Sequence, residues 1–180
     1  MEIRKLILKA KEGDDEAFGQ VFEEYFTPIY RYLYFRLGDK TLADDLTQDV
    51  FLKVFQSLES LVVSDKSPLT YFYTVARNLL IDNYRKKKIP TIDEDEAIDK
   101  LVEEDNPETQ AILGDDIKKL KDALQKISPA EADALILKFI DNYSNKEIGQ
   151  IMGKSEEAIR QLQSRGLKSL RGFISQEDLF

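Results

Sequence analysis

The 180-residue chain has no cysteine, no histidine and no tryptophan. Disulfides, thiolate or imidazole metal sites, and catalytic arrangements built on Cys or His are excluded with them. Only carboxylate-held metal, or chemistry from Asp, Glu, Lys or Ser, stays open, and no cofactor or metal is expected. Long apolar runs are also missing. The longest stretch without a charged side chain is residues 67–76, about half of the ~20 residues that a membrane span needs. Met1 leads into Glu-Ile-Arg-Lys with no apolar signal-peptide core, so the expected location is cytoplasmic. Glycine is scarce (eight residues), and no segment alternates polar with apolar side chains as a half-buried strand would. An all-α fold is expected.

Charge is unevenly distributed. The net charge of −8 combines a balanced first half, a strongly acidic middle and a slightly basic end. Residues 1–88 carry 14 basic and 14 acidic side chains, residues 89–117 carry one and 11, and residues 118–180 carry 11 and nine. The acidic middle also lacks any Phe or Tyr, so it cannot bury much apolar surface and reads as a connector. Two small helical domains follow, residues 1–88 and 106–180, joined by an acidic linker over 89–105.

In the first domain, Phe18, Phe22, Tyr25, Phe26, Ile29, Tyr30, Leu33 and Leu37 recur at helical spacing, with a kink or break expected near Thr27 because Pro28 follows. Leu42, Leu46, Val50, Phe51, Val54, Phe55 and Leu58 make a second amphipathic helix, capped by Asp39 or Thr41. A loop over residues 60–67 leads to Pro68, which opens a third helix with Leu69, Phe72, Ala76, Leu79 and Leu80 on one face and Arg85-Lys86-Lys87-Lys88 at its end. In the second domain, Asn106-Pro107-Glu108 signals one helix start. Ser128-Pro129-Ala130-Glu131 and Ser144-Asn145-Lys146-Glu147 are capping-box sequences that signal two more. The last helix starts after Ser155. A short helix, a turn containing Gly153 and a second helix with an exposed basic face form a helix-turn-helix.

Three constellations can carry function. In the helix-turn-helix, Lys154, Ser155, Glu156, Arg160, Gln161, Ser164, Arg165 and Lys168 are placed to meet base edges and phosphates; a helical hairpin with a solvated basic face fits the same pattern. On the third helix of the first domain, Tyr71, Tyr73, Arg77, Asn78, Asp82, Tyr84, Arg85 and Lys86 combine aromatics with hydrogen-bonding groups, as single-stranded DNA requires. Phe72 falls on the core face there, whereas Tyr71, Tyr73 and Tyr84 fall elsewhere. On the second helix, Asp44, Asp45, Gln48, Asp49, Phe51 and Lys53 suit a docking face for a basic protein partner; a plain exposed face and a carboxylate metal site are the alternatives.

Three stretches, in order, resemble the sigma factors of bacterial RNA polymerase in their short, extracytoplasmic-function form. They are Ala43-Asp44-Asp45-Leu46-Thr47-Gln48-Asp49-Val50-Phe51-Leu52-Lys53-Val54, then residues 69–85, then Tyr143-Ser144-Asn145-Lys146-Glu147-Ile148-Gly149-Gln150-Ile151-Met152-Gly153-Lys154-Ser155. The resemblance spans about Phe18 to Phe173. It implies that the first stretch docks on core polymerase, the second melts and holds the downstream promoter strand, and the third reads the upstream element. It also implies an anti-sigma partner, and a linker threaded near the path of the nascent RNA. The chain departs from the family at Tyr71, where Trp is common, and at Ala158 and Leu162, where Thr and Arg are frequent. Other readings are a sigma-like adaptor that binds polymerase without initiating, and a stand-alone helix-turn-helix regulator.

Overall fold

A computed structural model describes residues 3–61, 67–88 and 111–177. Every regular element among them is helical: α1 (Ile3–Lys11), α2 (Asp15–Leu37), α3 (Lys40–Gln56), α4 (Pro68–Lys88), α5 (Ala111–Lys126), α6 (Pro129–Leu135), α7 (Asn145–Met152) and α8 (Glu156–Glu177). A 3₁₀ turn, Leu58–Ser60, follows α3, and a π-helical segment, Ile136–Ile140, extends α6. The linker over 89–105 and the helix start at Asn106 lie outside the described residues.

The caps are where local chemistry puts them. Asp14 accepts from the Ala17 amide and Asp39 from the Leu42 amide, at 3.0 and 2.8 Å, each satisfying a backbone donor that the first helical turn leaves unpaired. Ser144 and Glu147 close a reciprocal capping box. Gly38 ends α2 with φ +74°, a backbone that a side chain would strain. Pro28 neither breaks α2 nor ends it: the helix runs unbroken over 23 residues. The amide that Pro lacks costs one rung of the ladder, and the apolar face on either side of it is held by Tyr25, Ile29, Tyr32 and Leu33, all buried.

The first domain packs α2 against α1, α3 and α4, with Ile7, Ile29, Leu33, Val50, Phe72, Ala76 and Leu80 at its centre. The second packs α6 and α7 against α8 around Leu124, Leu135, Leu137, Ile148 and Ile159. Each such aliphatic side chain contributes ~1.5–3 kcal/mol by leaving water. The two halves are not separate bodies on a string. Helices α5 and α7 and the π-helical segment rest on α2 and α4, and the buried side chains form one continuous cluster. At that seam the amide of Gln125 lies over Gly38, where any Cβ would collide with it. The Lys121 ammonium stands 4.7 Å from the Tyr34 ring centroid, within cation–π range.

Candidate nucleic-acid interfaces and docking groove

The helix-turn-helix is built from α7, a turn at Gly153 with φ +65°, and α8. The two helices meet closely because Gly149 has no side chain. Its Cβ would lie 2.6 Å from the Lys154 carbonyl oxygen, and the Lys154 amide bonds the Gly149 carbonyl at 2.9 Å. Gly166 serves the same purpose lower down, where α8 crosses α6: a Cβ there would meet Leu135 Cδ1 at 2.8 Å. Ile159, Leu162, Gln163 and Leu170 of α8 turn inward, so Leu162 is a packing residue. The Gln163 amide donates to Asn145 at 2.9 Å and ties the two helices together.

Lys154, Ser155, Glu156, Arg160, Gln161, Ser164, Arg165 and Lys168 are all exposed, on the opposite side of α8. Ser155 also caps the helix, accepting from the Ala158 amide at 3.2 Å. Arg160 pairs with Glu156 at 3.5 Å and Glu157 at 3.1 Å. Exposed pairs one turn apart on a helix are worth only ~0.3–0.5 kcal/mol, so they hold the guanidinium in place without withholding it from a base or a phosphate.

On α3, Asp45, Gln48, Asp49 and Lys53 are exposed and Asp44 is half-buried, its carboxylate accepting from Gln48 at 2.9 Å. Phe51 points inward and is buried. It forms the floor of a groove that periodicity alone assigns to the core. Phe18, Phe22, Phe26, Leu52 and Phe55 line this groove together with Asp44 and Gln48, and the rings pack edge-on and tilted, Phe18 against Phe55 at 4.9 Å and Phe22 against Phe51 at 4.6 Å. Phe22, Leu52 and Phe55 are 36, 55 and 45% exposed, which leaves an apolar channel with an acidic rim. Among the described residues no three carboxylates converge to hold a metal ion.

Helix α4 divides its expected residues between two environments. Asn78, Asp82, Arg85 and Lys86 are exposed. Tyr71 is half-buried, its hydroxyl 3.0 Å from Ser57 Oγ, and Tyr84 is half-buried with its hydroxyl donating to the Arg36 carbonyl at 2.9 Å. Tyr73 does not lie off the core face as the pattern suggests: it has no exposed surface at all. Its ring sits edge-on between Tyr32, at 5.5 Å, and Tyr143 of the second domain, at 5.2 Å, and its hydroxyl donates to Asp141 at 2.9 Å. Burial, then the Asp141 charge, pushes the phenol far above its ordinary pKa.

Arg77 is likewise committed to the second domain, and it is part of a larger arrangement that sequence reasoning missed. Asp133 of α6 is buried and accepts from Tyr32 Oη at 2.9 Å and Arg36 Nε at 2.6 Å on one oxygen, and from Arg77 Nε at 3.1 Å on the other. Asp141, just past the π-helical segment, accepts from Tyr73 and from Arg31 Nε at 2.8 Å and Nη2. Burial presses the Arg36 guanidinium toward neutrality, but Asp133 outweighs it, with help from Tyr32 and Tyr84, and its pKa sits above the ordinary value. Burial raises the Asp141 carboxyl despite the opposing bonds from Arg31 and Tyr73, so holding this carboxylate charged is costly. Removing one member of a buried ion pair costs ~3–5 kcal/mol, because the other is left buried and uncompensated.

The π-helical segment is what allows both aspartates to face the first domain. Eight positions apart on a regular α-helix, they would diverge by ~80° at ~100° per residue. The wider turn, marked by the Asp141 amide bonding the Ile136 carbonyl at 3.0 Å, turns the chain through less angle per residue and brings Asp141 back toward the Asp133 side. The sequence signals for this cluster were weak: an acid between the apolar Ala132 and Ala134 in α6, and two arginines inside the aromatic run of α2.

The sigma-70 region 2 family model matches residues 21–89 and the sigma-70 region 4 model residues 123–172. Those spans contain most of α2 with α3 and α4, and most of the helix-turn-helix domain, respectively. Among curated relatives, the sigma factor BldN of Streptomyces coelicolor is 29% identical over 167 residues, covering 92% of this chain and 63% of its own length. SigX of Bacillus subtilis is 28% identical over 163 residues, covering 87% and 83%. The solved structure of CnrH, in complex with the cytosolic domain of CnrY, superposes with a TM-score of 0.73 at 18% identity, covering 96% of this chain and 97% of CnrH. That likeness is one of fold.

Proposed function

We propose that the chain, which carries both sigma-70 region 2 and sigma-70 region 4, works as an extracytoplasmic-function sigma factor that binds RNA polymerase and recognises promoters, as its relatives' names state of them, and that its surfaces divide this work. The acidic-rimmed aromatic groove of α2 and α3 docks on core polymerase. Asp44, Asp45, Gln48, Asp49 and Lys53 supply the charged and polar rim, and Phe51 supports the apolar floor beside Phe22, Leu52 and Phe55. Such a surface fits a helical partner with an apolar stripe flanked by basic side chains. The exposed face of α8, from Lys154 to Lys168, reads the upstream promoter element in the major groove. Helix α4 takes the opened downstream strand, with Asn78, Arg85 and Lys86 exposed, Tyr71 and Tyr84 half-exposed, and Tyr73 and Arg77 joining once the second domain moves aside.

The observation that carries this reading is the sorting of α8 and the turn before it: all eight side chains expected at DNA are exposed, Arg165 also reaching Glu131 of α6 at 4.0 Å, while the apolar residues of α8 and Gln163 bind it to α6 and α7. An acidic chain has little non-specific affinity for DNA, because phosphate neutralisation supplies most of it; core polymerase contributes the missing positive surface. No catalytic role is assigned, and the chain works in the cytoplasm beside polymerase. As the sigma factor RpoE of Bartonella quintana is solved with the anti-sigma factor NepR, this chain is expected to take an anti-sigma protein. Run-off transcription with core polymerase and fragmented genomic DNA tests the reading. Starts that share two upstream sequence blocks support it, stable core binding without starts favours the adaptor reading, and no core binding refutes it.

A further inference from the structure

Arg36, Tyr32 and Arg77 around Asp133, and Arg31 and Tyr73 around Asp141, are five donors that α2 and α4 contribute from the first domain. The two acceptors both come from one continuous stretch of the second, α6 and its π-helical extension. An arginine fork recognises a carboxylate and a phosphate by the same planar, charge-assisted geometry. We propose that these five donors form a phosphate-binding face for single-stranded nucleic acid, and that Asp133 and Asp141 occupy it as built-in competitors in the closed chain. The inference rests on the reading of α4 as the downstream-strand helix, and it adds a site on α2 that the three resembling stretches do not contain.

Several observations converge on it. The donor cluster is assembled on the side of α4 that also carries Tyr73, whose ring is covered by Tyr143 of the second domain. Displacing the second domain therefore frees a base-stacking ring and the anion donors together, the two components of a single-strand site. Asp133 accepts from both Arg36 and Tyr32, so withdrawing the second domain removes that acceptor and leaves both donors to an outside anion. The upstream-reading face of α8, by contrast, is fully open in the closed arrangement. The closed chain thus presents its duplex-reading helix and withholds its single-strand face, which places duplex engagement before strand capture.

The experiment uses the full chain without polymerase. The absence of native cysteine lets a fluorophore pair be attached at Glu23→Cys in α2 and Gly172→Cys in α8, and anisotropy of a labelled single-stranded oligonucleotide reports affinity. Asp133→Asn combined with Asp141→Asn should widen the interdomain distance and tighten oligonucleotide binding by ~10-fold or more, as expected where ~10% or less of the native chain is competent to bind. Adding Arg36→Ala and Arg77→Ala to that variant should cancel the gain. An opened variant with unchanged affinity overturns the proposal, as does a gain that survives loss of both arginines, or a variant that stays closed with its helicity intact. Should the double variant unfold, the same oligonucleotide titrated into the labelled native chain should widen the distance, and an unchanged distance at saturation overturns it. Failure of the sigma reading is seen separately, in the run-off assay of the unaltered chain.

Discussion

Two glycine-to-alanine substitutions, Gly149→Ala in α7 and Gly19→Ala in α2, isolate the close approach that shapes the helix-turn-helix. Both glycines are helical, and both replacements gain the same ~1 kcal/mol that alanine holds over glycine in a helix interior. Gly19 is exposed and its Cβ meets nothing within 4 Å, so Gly19→Ala should stabilise the chain by up to that amount. At Gly149 the new methyl would lie 2.6 Å from the Lys154 carbonyl oxygen, a backbone atom that cannot rotate away. The turn must shift, stretching the bond from the Lys154 amide to the Gly149 carbonyl. Overpacking of this kind costs ~1–3 kcal/mol. Because the propensity gain is common to both, the difference between the two variants reads the clash alone, ~1–3 kcal/mol, or several degrees in Tm at ~2–4 °C per kcal/mol. Urea and thermal unfolding followed by far-UV circular dichroism measure it. Gly149→Ala should unfold earlier than the parent and Gly19→Ala later. Equal shifts in one direction would refute the argument that the turn is held by that contact.

Asp45→Arg with Asp49→Arg reverses the charge on the exposed face of α3, the helix that carries Phe51, Leu52 and Phe55 of the groove, and should abolish assembly with core polymerase, measured by co-purification, while helicity is unchanged because both side chains are exposed. In the assembled holoenzyme, Arg160→Ala should weaken binding at a single base position of the upstream element by ~1–3 kcal/mol. Lys168→Ala should weaken all sequences alike and lower the slope of log K against log salt by ~1. Tyr25 has a pKa raised from 10.0 to about 12, first by burial and then by Glu24. Its contribution to stability is therefore complete below pH 10 and disappears as pH rises through 12. Tyr25→Phe should flatten that part of the pH–stability curve, and an unchanged slope would show that the phenol is not protected.

Much of the fold was legible because it is written in local chemistry. Asp14, Asp39, Ser128, Ser144 and Ser155 cap the helices that they precede, and Pro68 stands in the first turn of α4. Glu156, Arg160, Gln161, Ser164, Arg165 and Lys168 are exposed on α8 for the same reason: helical periodicity sorts a helix that packs on one side only. Helix α1 was overlooked although Ile3, Leu6, Ile7 and Ala10 repeat at helical spacing, since nine residues make a short pattern. The groove was misassigned in the opposite way. Phe22 and Phe55 do share the apolar faces of α2 and α3, but periodicity gives the direction of a side chain and not whether anything covers it. The π-helical segment carries no compositional mark at all.

The seam between the domains was illegible for a deeper reason. Tyr73 and Arg77 read as nucleic-acid contacts because an aromatic ring beside a guanidinium suits a base and its phosphate, and that chemistry is present. What the spacing cannot specify is which anion the donors hold. Asp133 lies 56 positions from Arg77 and 101 from Tyr32, and nothing local to α4 distinguishes a carboxylate delivered by the same chain from a phosphate delivered by another. The two readings of α4, as a nucleic-acid surface and as a domain interface, therefore demand the same residues. A substitution that weakens the domain interface without altering the nucleic-acid surface has to be made on the acceptor side. Asp133 and Asp141 are the positions where the two can be separated, since neither belongs to the helix that would meet DNA.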